Sequence, residues 1–192
     1  LAVSDPLAAS PRTPGARVMG KLSRDKPMVL GIDPGLSGAI AAYDGAGLRV
    51  QDVPTLKASS RGREVDWPAL ADTVKGMCMW DVPSHVFIER VGAMPGQGVS
   101  SMFKFGFVAG GLRGLIAAYE RPVTYVTPVA WKRALGVQKG KDASRARASE
   151  LIPSGAHYWQ RVKDDGRAEA ALIALYGWRQ LFGAQHEAGE AA

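Results

Sequence analysis

The sequence predicts an α/β fold, with a five-stranded mixed sheet flanked by helices on both faces. Three short apolar segments, 28–32, 39–43 and 48–53, come first and are divided by turns rich in Asp, Pro and Gly. Helical and strand-like segments then alternate, giving the order βββαβαβαα. Such a chain places strands beside strands and lays its helices over them. Its 192 residues suit one domain, and 46% apolar residues supply a core.

Residues 1–26 are rich in Pro, Ser, Ala, Gly and Arg without a usable period, and read as a disordered leader or an expression remnant. Met19 and Met28 are both candidate natural starts. Order begins at Pro27. Met28 to Ile32 is a strand that stops at Asp33-Pro34-Gly35, and Ala39 to Tyr43 is a second strand closed by Asp44-Gly45. Leu48 to Val53 alternates like a third. Trp67 to Met79 carries Leu70, Val74 and Met77 near helical spacing, with Asp66 as N-cap and Pro68 in the first turn. Val86 to Val91 reads as a buried strand and Gly92 to Val99 as a glycine-rich loop. Ser100 to Tyr119 is a long apolar helix, Val123 to Val126 a fifth strand, and 129–135 and 142–151 are short helices. A final amphipathic helix spans about Asp164 to Phe182. The domain is expected over 27–183, with a flexible tail at 184–192.

Composition narrows the classes of function. No run of roughly eighteen apolar residues is present, so no membrane-spanning helix is expected. Nothing near the start resembles a secretory signal, and the lone Cys78 excludes an internal disulfide or a multi-thiolate zinc site. A reducing compartment such as the cytoplasm is expected, with organelle targeting left open. Lys and Arg number 24 against 18 Asp and Glu, for a net charge of +6. The excess is concentrated in Lys132, Arg133, Lys139, Lys141, Arg145 and Arg147, set against Asp142 alone. That pattern fits a polyanionic partner, and also a merely solvated helical face.

Four acids stand where acids are costly unless used. Asp33 ends an apolar strand, and Glu89 lies inside Val86-Phe87-Ile88-Glu89-Arg90-Val91. Asp165 and Glu169 share a helix face just before Ala-Ala-Leu-Ile-Ala-Leu. Each has a blander reading: a turn residue at Asp33, a solvent-facing edge position at Glu89, dipole-complementing acids at a helix start for Asp164, Asp165 and Glu169. Together they form a strand–strand–helix constellation suited to one site. Clustered carboxylates stay ionised only beside cations, and hard divalent ions match an all-oxygen donor set.

Three segments together resemble the acidic motifs of the RuvC-type Holliday junction resolvases, nearest to the phage and plastid branch: Gly31-Ile32-Asp33-Pro34-Gly35-Leu36-Ser37-Gly38-Ala39, Ile88-Glu89, and Asp164-Asp165-Gly166-Arg167-Ala168-Glu169-Ala170. The resemblance covers residue 28 to about 180. It implies an RNase H-like fold and two Mg²⁺ ions, replaceable by Mn²⁺, held by Asp33, Glu89, Asp165 and Glu169. Bacterial relatives commonly have two aspartates three apart in the last motif, whereas Asp165 and Glu169 are four apart. Asp164 therefore competes with Asp165 as third ligand.

The same resemblance makes Lys132 and Lys141 basic groups near the scissile phosphate, with Lys132 the stronger catalytic candidate. It also directs the 90–101 segment into the junction, with Val91, Met94 and Pro95 as apolar wedges. Arg133, Lys139, Arg145, Arg147, Arg161, Lys163 and Arg167 are expected to form a phosphate surface, with Arg167 alternatively paired to a carboxylate inside the protein. Gly106, Gly110 and Gly114 recur every four residues beside Phe103 and Phe107. Either a second subunit or the protein's own sheet packs closely there, and a homodimer is favoured. The three histidines, Cys78 and most tryptophans are assigned to structure. The expected function is an endonuclease on four-way or other branched DNA, with no membrane partner. Its rivals are an RNase H-type enzyme on RNA–DNA hybrids and an inactive junction binder. An actin-like ATPase needs two lobes and a longer chain.

Overall fold

The computed structural model describes residues 27–58, 62–79, 85–90, 92, 96 and 98–190, without the side chains of 78, 79 and 184–190. The expectations for the leader, for Val91, Met94 and Pro95, and for the side chains of Cys78 and His186 lie outside the described residues. Strands β1 (Val29–Ile32), β2 (Ala39–Tyr43) and β3 (Leu48–Asp52) form an antiparallel meander. A small hairpin follows, β4 (Thr55–Lys57) with β5 (Arg63–Val65), and then helix α1 (Trp67–Met79). Strand β6 (His85–Glu89) pairs parallel to β1, and after helix α2 (Val99–Ala117) strand β7 (Val123–Val126) pairs parallel to β6. Helices α3 (Pro128–Ala134), α4 (Ala143–Leu151) and α5 (Asp165–Glu190) complete the chain. The main sheet has the order β3-β2-β1-β6-β7, and the mixed five-stranded expectation holds.

Alternation along the strands divides the core in two. Leu30, Ile32, Ile40, Val86 and Ile88 face α1 and α2, where Leu70, Val74, Leu112 and Ile116 pack against them. Val29, Ala41, Tyr43 and Phe87 face α5, whose Ala170, Ala171, Leu172, Ala174 and Leu175 cover that side together with Trp131 and Trp159. Buried strands β1 and β2 are apolar at every position because both faces are covered. The N-terminus of α1 is closed by Asp66, whose Oδ1 accepts from the Ala69 amide at 3.1 Å. Among the described residues no helix is long and apolar enough to cross a membrane.

Two elements depart from the sequence expectation. The β4–β5 hairpin falls in a stretch read as a connection, because its strands have three residues each and show no apolar period. Helix α5 continues to Glu190, past the expected stop near Phe182, since Gly183 and the following residues contain no proline to end it.

The α5–β1 contact leaves no room for a side chain. A Cβ added at Gly31 would lie 2.2 Å from the Ala174 amide nitrogen and 2.3 Å from the Ala170 carbonyl oxygen. Both neighbours are backbone and cannot rotate away. Gly31→Ala is therefore expected to cost about 3 kcal/mol through overpacking, read as a lowered urea midpoint with an unchanged slope. A midpoint equal to wild type would show that the contact yields freely.

Candidate active site

Asp33 and Glu89 sit at the same end of two neighbouring parallel strands. The register pairs Ile32 with Ile88, so the acids occupy the next position on each strand. Asp33 then enters a tight loop, closed by the Asp33 amide donating to the Ala39 carbonyl at 3.0 Å. Asp165 is the first residue of α5, and Glu169 lies one turn on. The α5 terminus abuts the loop: a Cβ at Gly166 would be 2.2 Å from the Ser37 carbonyl oxygen and 3.1 Å from Asp33 Oδ2. Glycine there lets a helix that carries two acids reach the strand that carries the first.

The acids feel one another. The Asp33 pKa is pushed up to about 7, first by loss of water and then by the negative fields of Glu89 and Glu169, with a smaller push from Asp165. The Glu89 carboxyl is also raised, mainly by burial, against the stabilising indole N–H of Trp131, which donates to Oε1 at 3.0 Å. Burial and Glu169 raise Asp165 as well. Its Oδ1 is buried and has no hydrogen-bond partner. Glu169 is held by Lys132 Nζ at 2.7 Å and by the Ser144 hydroxyl at 2.9 Å. Burial alone would lower Lys132, but its hydrogen bond to Glu169 and the fields of Glu169, Glu89 and Asp165 outweigh that and raise it.

This donor set suits a hard divalent cation. Every candidate ligand is a carboxylate, one buried oxygen lacks a donor, and the mutual repulsion is of the kind a cation removes. Among the described residues, no three acidic, histidine or cysteine side chains yet converge as a ready ligand set. Lys132 Nζ donates to Glu169 and the Trp131 indole to Glu89.

Asp164 is placed elsewhere. It is 5% exposed and lies under the fork of Arg161, with Nη2 to Oδ1 at 2.7 Å and the Arg161 amide to Oδ2 at 3.0 Å. Arg167 pairs with Asp52 and approaches Asp164 at 3.7 Å, so its internal role is the one observed. Arg145 pairs with Asp142, while Arg147 bonds the Leu135 carbonyl and Glu150. The two ion pairs lie within α4 and its cap, and the bond to Leu135 ties α4 to the end of α3. Arg133, Lys139 and Lys141 are exposed.

Sequence reasoning missed two partners. Trp131 belongs with the acids through its N–H, although it reads as core, and Ser144 of α4 reaches Glu169 across the fold. Trp131 stands beside Lys132, which is the only hint the sequence offers; Ser144 carries none. Trp159 is buried and bonds the Ser149 hydroxyl, in keeping with a packing role.

The chain resembles the RuvC-type Holliday junction resolvases in both fold and sequence. No protein-family model matches it. The chloroplastic Holliday junction resolvase MOC1 of Chlamydomonas reinhardtii is 32% identical over 97 residues, which is 50% of this chain and 11% of that much longer protein. Thermus thermophilus RuvC, solved in complex with a Holliday junction substrate, shares the fold with a TM-score of 0.53 at 18% identity, covering 82% of this chain and 96% of that one. A further structure of Thermus thermophilus RuvC gives 0.53 and 18%, over 81% and 96%. The fold is RNase H-like, as the motifs imply.

A raised Asp33 pKa means that the folded chain binds a proton the unfolded chain releases. The associated stability is present below the ordinary aspartate pKa of 3.8 and is lost as pH rises through about 7. In EDTA, the melting temperature should therefore fall between mildly acid and neutral pH. Asp33→Asn should flatten that fall, and a variant with the wild-type slope would show that other groups cause it.

Proposed function

We propose that this chain is a metal-dependent endonuclease that cuts four-way DNA junctions, using Mg²⁺ held by Asp33, Glu89, Asp165 and Glu169. The observation that carries the reading is that Asp33 and Glu89 lie at one end of β1 and β6, with the start of α5, bearing Asp165 and Glu169, laid against the loop after Asp33 and with Asp165 Oδ1 buried and unpartnered. When bound, the ions would activate a water and stabilise the leaving oxygen of a phosphodiester. Trp131 orients Glu89 through its indole N–H, and Ser144 orients Glu169. Lys132 is free to release Glu169 once that charge is satisfied otherwise, and its ammonium then faces a substrate phosphate. Asp164 serves as the anchor that fixes the turn before α5, leaving Asp165 as third ligand. Junction DNA as substrate is supported by the likeness to a plastid resolvase over half the chain and to the RuvC fold.

The protein acts as a homodimer through α2 in this reading. A Cβ at Gly106, Gly110 or Gly114 would meet nothing within 4 Å, so these glycines do not serve packing against the protein's own sheet. They lie on an outward face with Val99, Phe103 and Phe107, which are 79%, 73% and 60% exposed. A second copy laid along that face would bury it and place two sites on one junction.

A synthetic four-way junction should be nicked in paired strands in Mg²⁺ and left intact in EDTA. Asp33→Asn should lower cutting by about a thousandfold or more while still binding, and Lys132→Ala should lower cutting by roughly a hundredfold with little change in affinity. Preferential cutting of an RNA–DNA hybrid would move the function to a ribonuclease, and binding without cutting would leave a junction-binding protein. Replacing both Phe103 and Phe107 by Glu should yield a monomer in sedimentation. A dimer surviving that change would place the interface elsewhere.

A further inference from the structure

Beside the acidic cluster, on the far side of the loop after Asp33, lies a cleft of about 500 Å³ that the site above does not use. Its floor is Ser37 and Gly38 of that loop, and its walls are Arg63 of the β4–β5 hairpin and Arg161 and Lys163 of the turn before α5. The two acids at its edge are already engaged, Asp52 by Arg167 and Asp164 by Arg161. Among the described residues neither Arg63 nor Lys163 sits in an ion pair. Both are exposed, and Arg63 is aimed by a hydrogen bond from Nη2 to the Ser37 hydroxyl at 2.8 Å. The cleft thus presents unneutralised cations and a hydroxyl on the loop whose other side carries Asp33.

The geometry points to a second phosphate seat: Arg63, Ser37 and Lys163 hold a backbone phosphate of the DNA strand near the one being cut. Ser37 lies four residues from Asp33, and Lys163 two residues before Asp165, so a strand seated in the cleft runs directly toward the acids. A planar guanidinium suits a phosphate oxygen pair, and a hydroxyl and an ammonium complete a sequence-independent grip. The hairpin, invisible in the sequence pattern, thereby gains a purpose: it carries Arg63 to the loop. The seat rests on the nuclease reading for its substrate, and its test does not depend on cutting.

The test is binding of a labelled four-way junction by the full chain in the Asp33→Asn background, from about 50 to about 300 mM salt. Each lost phosphate contact should lower the slope of log affinity against log salt by about 0.9. Arg63→Ala with Lys163→Ala together empty the one seat and should therefore lower it by about 0.9, with weaker binding at low salt and an unchanged melting temperature. Arg63→Lys should restore part of the slope. A double variant with wild-type slope and affinity overturns the seat, as does weaker binding with the slope unchanged. A parent chain that binds but cuts nothing in Mg²⁺ sinks the nuclease reading alone, because the salt slopes still decide the cleft.

Discussion

The close approach of α5 to β1, backbone against backbone at Gly31, sets how near the two helix acids come to Asp33. A helix normally stands about 10 Å from a sheet because side chains fill the gap. Here Gly31 meets Ala170 and Ala174, and Gly166 meets Ser37, so the first turns of α5 come down onto the end of β1. Asp165 and Glu169 are thereby delivered to Asp33 with no flexible linker between. Larger residues at these points would leave each acid in place on its own element and dissolve the cluster.

That proximity sets the folding energetics against the site. Burial and mutual repulsion raise Asp33, Glu89 and Asp165 together, which is the signature of charges held closer than water alone would allow. The fold absorbs the repulsion locally. Lys132 and Ser144 take Glu169, Trp131 takes Glu89, and Arg145 lies near enough to Asp165 to oppose its rise. The rest of the core, apolar on both faces of β1 and β2, supplies the stability that tolerates this strain.

The frame was legible in the sequence because its signals are strong and local. Apolar runs of strand length ending at Asp33 or Glu89, and an alanine-rich helix opened by Asp165 and Glu169, stand out without a structure. The pairing of side chains across elements was not legible. Trp131 and Ser144 reach their acids over 42 and 25 residues of chain, respectively, and nothing at either position marks that destination. The β4–β5 hairpin escaped for a different reason. Three-residue strands facing solvent need no apolar alternation, so the pattern that reveals strands is absent from them. Charge was legible in amount but not in pairing: Arg145, Arg147 and Arg167 stand beside Asp142, Glu150 and Asp52, which the sequence does not show.

Cations held in ion pairs cannot also neutralise phosphates without giving up partners. Exposed cations outside these pairs include Arg133, Lys139 and Lys141 at and beyond α3, Arg63 on the hairpin and Lys163 in the turn before α5. Arg63 reaches the loop after Asp33 through the Ser37 hydroxyl, and Lys132 of α3 holds Glu169, so cations approach the acids from two separate elements. The internal ion pairs thus have a second effect besides fixing α4 and the turn before α5. By engaging Arg145, Arg147, Arg161 and Arg167, they leave Arg63 and Lys163 as the exposed cations of the cleft beside the loop after Asp33.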